Sequence, residues 1–269
     1  MPGLSSQSTG APSGSGLSAI VITRNEEANI ADCLASLSFA NEIVVVDSGS
    51  TDRTVELARA AGARVVSTAD WPGFGAQKNI ALAEASQRWV LSIDADERVT
   101  PALRDEVMAV VKGSACAHDA WDMPRRSSFC GQYMNHSGWY PDRVTRLFLR
   151  DRARFSADLV HERVIVEGRT GHLRSDLLHT TYPDLETMLA KLDRYSTLAA
   201  QSMFERGQSS SPGAAVVRGA WAFLRTYLFR LGFLDGALGW VLAVSIAETT
   251  YYKYLKLWAL GRRQIGSRV

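Results

Sequence analysis

Cysteine is scarce: Cys33, Cys116 and Cys130 are odd in number, widely spaced and without any CxxC pair. Neither a disulfide framework nor a cysteine zinc site is indicated, and a reducing compartment fits best. The glycine-rich phosphate loops are missing as well. The first strand-to-helix turn is TRNEEAN, with no glycine, and GFGAQK at 73–78 lacks the third glycine and does not follow the first strand. That weakens a dinucleotide-dependent oxidoreductase, and the absence of GxxxxGK[ST] removes a P-loop. Long apolar runs are also wanting. In the C-terminal part the longest uncharged run is Gly236–Ala247, short of the roughly 20 residues that span a bilayer. The start, MPGLSSQSTGAPSGSG, has neither the basic beginning nor the apolar centre of a signal peptide and reads as a flexible tail over residues 1–16.

What is present is a globular composition, 46% hydrophobic in 269 residues, enough for one large domain or a domain with an appendage. From Leu17 apolar β-rich runs alternate with helical stretches: LSAIVIT, EEANIADCLASL, EIVVVD, DRTVELARAAG, ARVVS, GAQKNIALAEA and RWVLSID. This rhythm predicts βαβ units, a mainly parallel sheet of Rossmann-like α/β type with helices on both faces, and ligands at the carboxyl ends of the strands. After a helix over 101–112, residues 120–180 carry short β-like pieces with antiparallel pairing expected. We divide the chain into a nucleotide-binding half over 17–112, an acceptor-binding half of the same domain over 113–206, and a helical region over 207–269.

Charge is uneven. From Gly213 onward eight Lys and Arg face two acids, which leaves residues 1–212 at minus four. An anionic partner for the C-terminal part follows, a membrane face or a nucleic acid. The aromatics Trp221, Tyr227, Trp240, Tyr251, Tyr252 and Trp258 favour two amphipathic helices at a membrane interface over nucleic acid. A helical hairpin packed on protein is the plainer alternative.

Two strand ends carry chemistry. DSGSTD, residues 47–52, ends an apolar strand. Gly49 permits a tight turn, Ser48 and Ser50 offer donors, and an ordinary capped turn accounts for Thr51 and Asp52. It does not account for Asp47, which stands where doubly wound sheets place an acid on a ribose. VLSIDADE then sets Asp94, Asp96 and Glu97 at the end of another strand. Like charges so close need a cation or donors. In an extended segment residues i and i+2 point the same way, so Asp94 and Asp96 could face one Mg²⁺ or Mn²⁺. Glu97 is left to cap or to pair with Arg98 or Arg104.

TRNEEANI, VVVDSGSTDRT, GFGAQKN and LSIDADE, in this order and spacing, resemble the family 2 glycosyltransferases of GT-A fold over about residues 17–180. WPGFGAQKN, WYPDRVTRLF, LVHERV and GFLDGALGW are similar to the lipopolysaccharide core enzymes related to the β-1,4-glucosyltransferase. The resemblance implies inverting transfer from a UDP-sugar with a divalent metal. It implies that Thr23, Asn25 and Glu26 line the nucleotide and Asp47, with Ser48 and Gly49, holds the uridine. It places Lys78 at the diphosphate or the sugar, the metal on Asp94 and Asp96, and Glu162 as base beside His161, with Asp158 as the competing base. Many relatives have Tyr where this chain has Arg24, so a cation replaces a stacking ring. Arg146 could bind acceptor phosphate or pair with an acid such as Asp151.

The implied activity is glucose transfer to a lipid-linked saccharide of the lipopolysaccharide inner core, by a protein peripheral on the cytoplasmic face of the bacterial inner membrane and without nucleic acid. Rival readings are transfer to polyprenyl phosphate, a sugar nucleotidyltransferase and a non-catalytic membrane scaffold. Polyprenyl-phosphate enzymes usually carry spanning helices, which the run length argues against. A nucleotidyltransferase would want a Gly-rich basic loop where TRNEE is acidic.

Overall fold

The computed structural model describes residues 14–68, 71–113, 117–156 and 163–266. They form two compact units, one up to Arg125 with Arg143–His179, the other Arg126–Asp142 with Thr180 onward.

The first unit opens with β1 (Gly14–Thr23), α1 (Ile30–Ser36), β2 (Glu42–Asp47), α2 (Thr54–Ala60), β3 (Arg64–Ser67), α3 (Phe74–Glu84) and β4 (Gln87–Asp94). β1 starts three residues before the expected Leu17. The four strands are parallel in the order β3-β2-β1-β4. Alternation decides which face each residue meets. Leu17, Ala19 and Val21 of β1 join Ile30, Leu34, Ala58 and Leu103 in one core layer. Ile20 and Ile22 join Val44, Val46, Val90 and the α3 residues Ala81 and Leu82 in the other. Both faces of β1, β2 and β4 are buried, which is why these strands read as unbroken apolar runs. By the same parity Asp94 leaves β4 on the α3 side of the sheet, the side of Val90.

The chain continues through β5 (Glu97–Val99), α4 (Pro101–Lys112), β6 (Ala120–Phe129), β7 (Gln132–Tyr133), β8 (Asp142–Leu149), β9 (Ala153–Phe155), β10 (Val164–Val166), β11 (Thr170–His172) and β12 (Leu177–Tyr182). As expected for residues 120–180, antiparallel pairing enters: β8 runs against β4, with Trp89 opposite Leu149 and Leu91 opposite Leu147. β12 runs against β5, with His179 opposite Glu97. The long sheet has the order β3-β2-β1-β4-β8-β6-β12-β5.

The second unit is mainly helical, with α5 (Leu185–Glu205), α6 (Pro212–Leu224) and α7 (Gly236–Gly266). Asp184 caps α5 by accepting from the Thr187 N–H at 2.7 Å, and Ser211 with Pro212 starts α6. Phe129, Met134, Met188, Leu192 and Leu242 form its core. α7 packs along α5 and α6. One expectation needs correction here. Residues Gly232–Arg262 are long and apolar enough to cross a membrane by length and composition, although no uncharged run of spanning length exists. Glu248, Lys253 and Lys256 interrupt the sequence without interrupting the helix. Lys256 Nζ reaches the Asp193 carboxylate at 2.7 Å and the Thr197 hydroxyl at 2.7 Å on α5, so its charge is spent on a neighbouring helix.

Candidate active site

The carboxyl ends of β1, β2 and β4, with the first turns of α3, bring the sequence motifs together. TRNEE and DSGSTD form a latch. The Asn25 N–H donates to Ser50 Oγ at 2.8 Å and its Oδ1 accepts from the Thr51 N–H at 2.8 Å. The Glu26 N–H donates to Thr54 Oγ1 at 2.7 Å, and the Glu27 N–H donates to Asp52 Oδ2 at 3.1 Å. Glu26 also accepts from Asn29 Nδ2 at 2.8 Å, so the acid of TRNEE serves the loop itself. Asp47 is buried, and its Oδ2 accepts from the N–H groups of Gly49 and Ser50, both at 3.0 Å. Two hydroxyls at these strand ends are different. Thr23 Oγ1 and Ser48 Oγ are buried without a hydrogen-bond partner, although the Ser48 N–H donates to the Thr23 carbonyl at 3.0 Å. Buried hydroxyls normally find partners, and two adjacent orphans at strand ends fit a polar ligand.

Asn25 holds φ at 56°, in the left-handed region, which costs a non-glycine residue roughly 1–2 kcal/mol. Asn tolerates it best and here also binds Thr51. Asn25→Ala is therefore expected to weaken donor binding about tenfold while Asn25→Gly, free to keep the turn, restores part of it. Calorimetric titration with the donor reads both, and equal affinity in all three proteins would show that the latch does not shape the site.

At β4 the three carboxylates separate. Lys78 Nζ of α3 lies 2.9 Å from Asp94 Oδ1, and Arg146 of β8 lies 2.5 Å from Asp94 Oδ2. The same Arg146 nitrogen stands 2.6 Å from Glu97 Oε1, and Arg125 joins Glu97 at 3.5 Å. Glu97 is 0% exposed and Arg146 7%. The Glu97 carboxylate also accepts from the Asp94 N–H at 3.0 Å. Burial would raise the Asp94 carboxyl, but the charges of Arg146 and Lys78 outweigh it and hold it far below the usual range. Conversely, burial would lower Arg146, and Asp94 and Glu97 drive it up.

Asp96 takes another direction: its Oδ2 meets His179 Nε2 at 3.3 Å. β4 ends at Asp94 and a turn follows, so the alternation that would have aligned Asp94 with Asp96 stops one residue too early. Glu97 pairs with Arg146 and Arg125 rather than with Arg98 or Arg104. Arg98 instead binds the carbonyls of Ala95, Glu97 and Asn29, and Arg104 pairs with Asp105. Asp151 pairs with Arg150. Glu162, His161 and Asp158 lie outside the described residues. Sequence reasoning missed His179, whose signal was a polar residue within the β-like run LLHTTY.

Residues 18–159 match the family described as Glycosyl transferase family 2. The lipopolysaccharide core biosynthesis glycosyltransferase LpsC of Rhizobium meliloti is 34% identical over 88% of this chain and 93% of its own length. The chain is a family 2 glycosyltransferase. An uncharacterized glycosyltransferase of Rickettsia prowazekii is 27% identical over 90% of this chain and 86% of its length. Among solved structures, glucosyl-3-phosphoglycerate synthase from Mycobacterium tuberculosis, in complex with Mn²⁺, UDP and glucosyl-3-phosphoglycerate, is 31% identical with a TM-score of 0.36. That match covers 41% of this chain and 44% of the other, so less than half of the mycobacterial enzyme is matched by this glycosyltransferase. Its fold is of the GT-A type, a sheet with parallel leading strands followed by mixed ones, with the long apolar α7 at the C-terminal end.

Proposed function

We propose that this glycosyltransferase moves glucose from UDP-glucose, with inversion, to a lipid-linked saccharide of the lipopolysaccharide inner core at the cytoplasmic face of a bacterial inner membrane. The observation that carries the reading is the ionic cluster at the end of β4, in which Lys78 and Arg146 neutralise Asp94 and leave Asp96 facing His179. The name of the Rhizobium relative supports the acceptor class. Thr23, Asn25, Glu26, Asp47, Ser48 and Gly49 would enclose the nucleoside, with the orphan hydroxyls of Thr23 and Ser48 donating to it. Lys78 would divide its charge between Asp94 and the diphosphate, lowering the energy of the departing UDP.

Among the described residues no three His, Cys, Asp or Glu surround a common point. With Asp94 held by Lys78 and Arg146 and Asp96 beside His179, a divalent cation would rest on Asp96 and His179 and share the remaining positions with phosphate and water, a donor set that fits Mn²⁺ and tolerates Mg²⁺. Bound there, the cation supplies positive charge at the diphosphate as the sugar–phosphate bond breaks. Glu162, or Asp158 in its place, takes the proton from the acceptor hydroxyl as that oxygen bonds to the anomeric carbon, and His161 contacts the acceptor.

A second acceptor class, polyprenyl phosphate, gains weight from the length of the apolar helix α7. One experiment separates the readings. The full chain is incubated with UDP-, GDP- and dTDP-sugars in chelator, Mg²⁺ or Mn²⁺, with truncated lipopolysaccharide or polyprenyl phosphate as acceptor. UDP release from UDP-glucose that depends on the cation and rises with truncated lipopolysaccharide is the expected result, and Glu162→Gln should keep donor binding while losing about 10²–10⁴-fold in transfer. No turnover of any UDP-sugar sinks the donor assignment, product on polyprenyl phosphate moves the acceptor, and transfer surviving in Glu162→Gln makes Asp158 the base.

A further inference from the structure

We propose that the corner joining α6 to α7 is a preformed wedge that inserts into an anionic lipid surface. Between the two helices the backbone widens into a π-helical turn through Arg225–Phe229, turns at Leu231 and closes in the short 3₁₀ segment Gly232–Asp235. Leu228, Phe229, Leu231, Phe233 and Leu234 all stand exposed within seven residues, Phe229 by 69% and Leu234 by 56%. The Trp221 ring lies 5.6 Å from that of Phe229 and extends the patch along α6. Solitary exposed apolar residues are ordinary, but a contiguous group of large ones marks an interaction surface.

Charge selects the partner. Between Arg206 and Glu248 the sequence has Arg218, Arg225 and Arg230 and a single acid, Asp235. That acid is buried and turned inward. Its carboxylate accepts from the N–H groups of Asn135 at 3.1 Å and His136 at 3.0 Å and from the Ser137 hydroxyl at 3.2 Å. His136 Nδ1 lies 3.0 Å from Oδ1. The outward face of the corner thus carries apolar side chains rimmed by exposed arginines Arg225 and Arg230, the pattern of a segment lying at a headgroup boundary.

The wedge is also rigid. Gln132 Nε2 donates to the Asp235 carbonyl at 2.9 Å, and the Ser137 N–H donates to the Arg230 carbonyl at 2.8 Å. A Cβ on Gly239 would run into the Gly232 carbonyl, so glycine at both positions lets the corner fold back on the first turn of α7. Leu231 is held at φ 55°, a strained setting for leucine. Such a corner need not order itself on binding, which removes a cost that flexible anchors carry.

The inference deepens the proposed function, since it gives an enzyme with a lipid-linked acceptor its place of contact, yet the two are tested apart. Full-length protein is floated with vesicles of phosphatidylglycerol and phosphatidylethanolamine, and with phosphatidylcholine alone. The parent is expected to partition onto the anionic vesicles at least tenfold more strongly. Phe229→Ser with Leu234→Ser should lose at least tenfold, and Arg225→Gln about fivefold on anionic vesicles only, with thermal melting and UDP release in detergent unchanged in all. Vesicle binding by the double variant equal to the parent's would overturn the proposal. So would a parent that stays in membranes through alkaline carbonate, because α7 would then cross the bilayer, or a parent dimer that the double variant dissociates, because the face would then join two copies. Flotation intact with no donor turnover strikes the sugar-transfer reading alone.

Discussion

Arg146→Met is expected to lower the stability of the protein by about 3–5 kcal/mol, read as a shift in the urea midpoint at unchanged slope. The side chain is 7% exposed, and one of its nitrogens lies within 2.6 Å of both Asp94 and Glu97. Methionine fills much the same volume, so cavity formation contributes little and the loss is electrostatic: Glu97 is left fully buried, with Arg125 at 3.5 Å as its remaining ion-pair partner among the described residues. Glu97→Gln added to Arg146→Met should recover part of the stability, because it removes the charge that lost its partner. If the double variant is as unstable as the sum of the single losses, packing rather than charge holds this cluster.

This same cluster shows what the sequence disclosed. Parity along β4 turns Asp94 toward α3, and local rules gave the strands, the helices and the polar strand ends, because apolar alternation and caps are local. The partner of the carboxylates was not local. Three acids at a strand end call for positive charge, and a metal was the nearest answer in the sequence. The protein also brings Arg146 to Asp94, 52 residues away on β8, and Lys78 from one helix earlier. No spacing rule links DADE to DRVTRLF. His179 was hidden for the same reason, since the antiparallel register that sets it opposite Glu97, beside Asp96, exists only once β12 has paired with β5. α7 was hidden differently. Its charges break the apolar run in sequence but sit on a continuous helix, where Lys256 turns to Asp193.

His179→Ala and Asp96→Ala are each expected to lower kcat at least 10²-fold and to abolish activation by Mn²⁺, with stability changed by no more than about 1 kcal/mol. The contrast with Arg146 is physical. The Asp96 and His179 side chains are 28% and 14% exposed and meet each other at 3.3 Å, so truncating either strands no fully buried charge. Their worth would lie in what they bind rather than in what they support. His179→Asp carries the argument further: exchanging imidazole for carboxylate replaces a borderline donor with a hard one and should move the preference from Mn²⁺ toward Mg²⁺ while turnover partly returns. Steady-state rates across a titration of each cation, with melting curves alongside, read all three variants. Turnover within about threefold of the parent in His179→Ala, with cation dependence unaltered, would remove His179 from the site and return the cation to the aspartates alone.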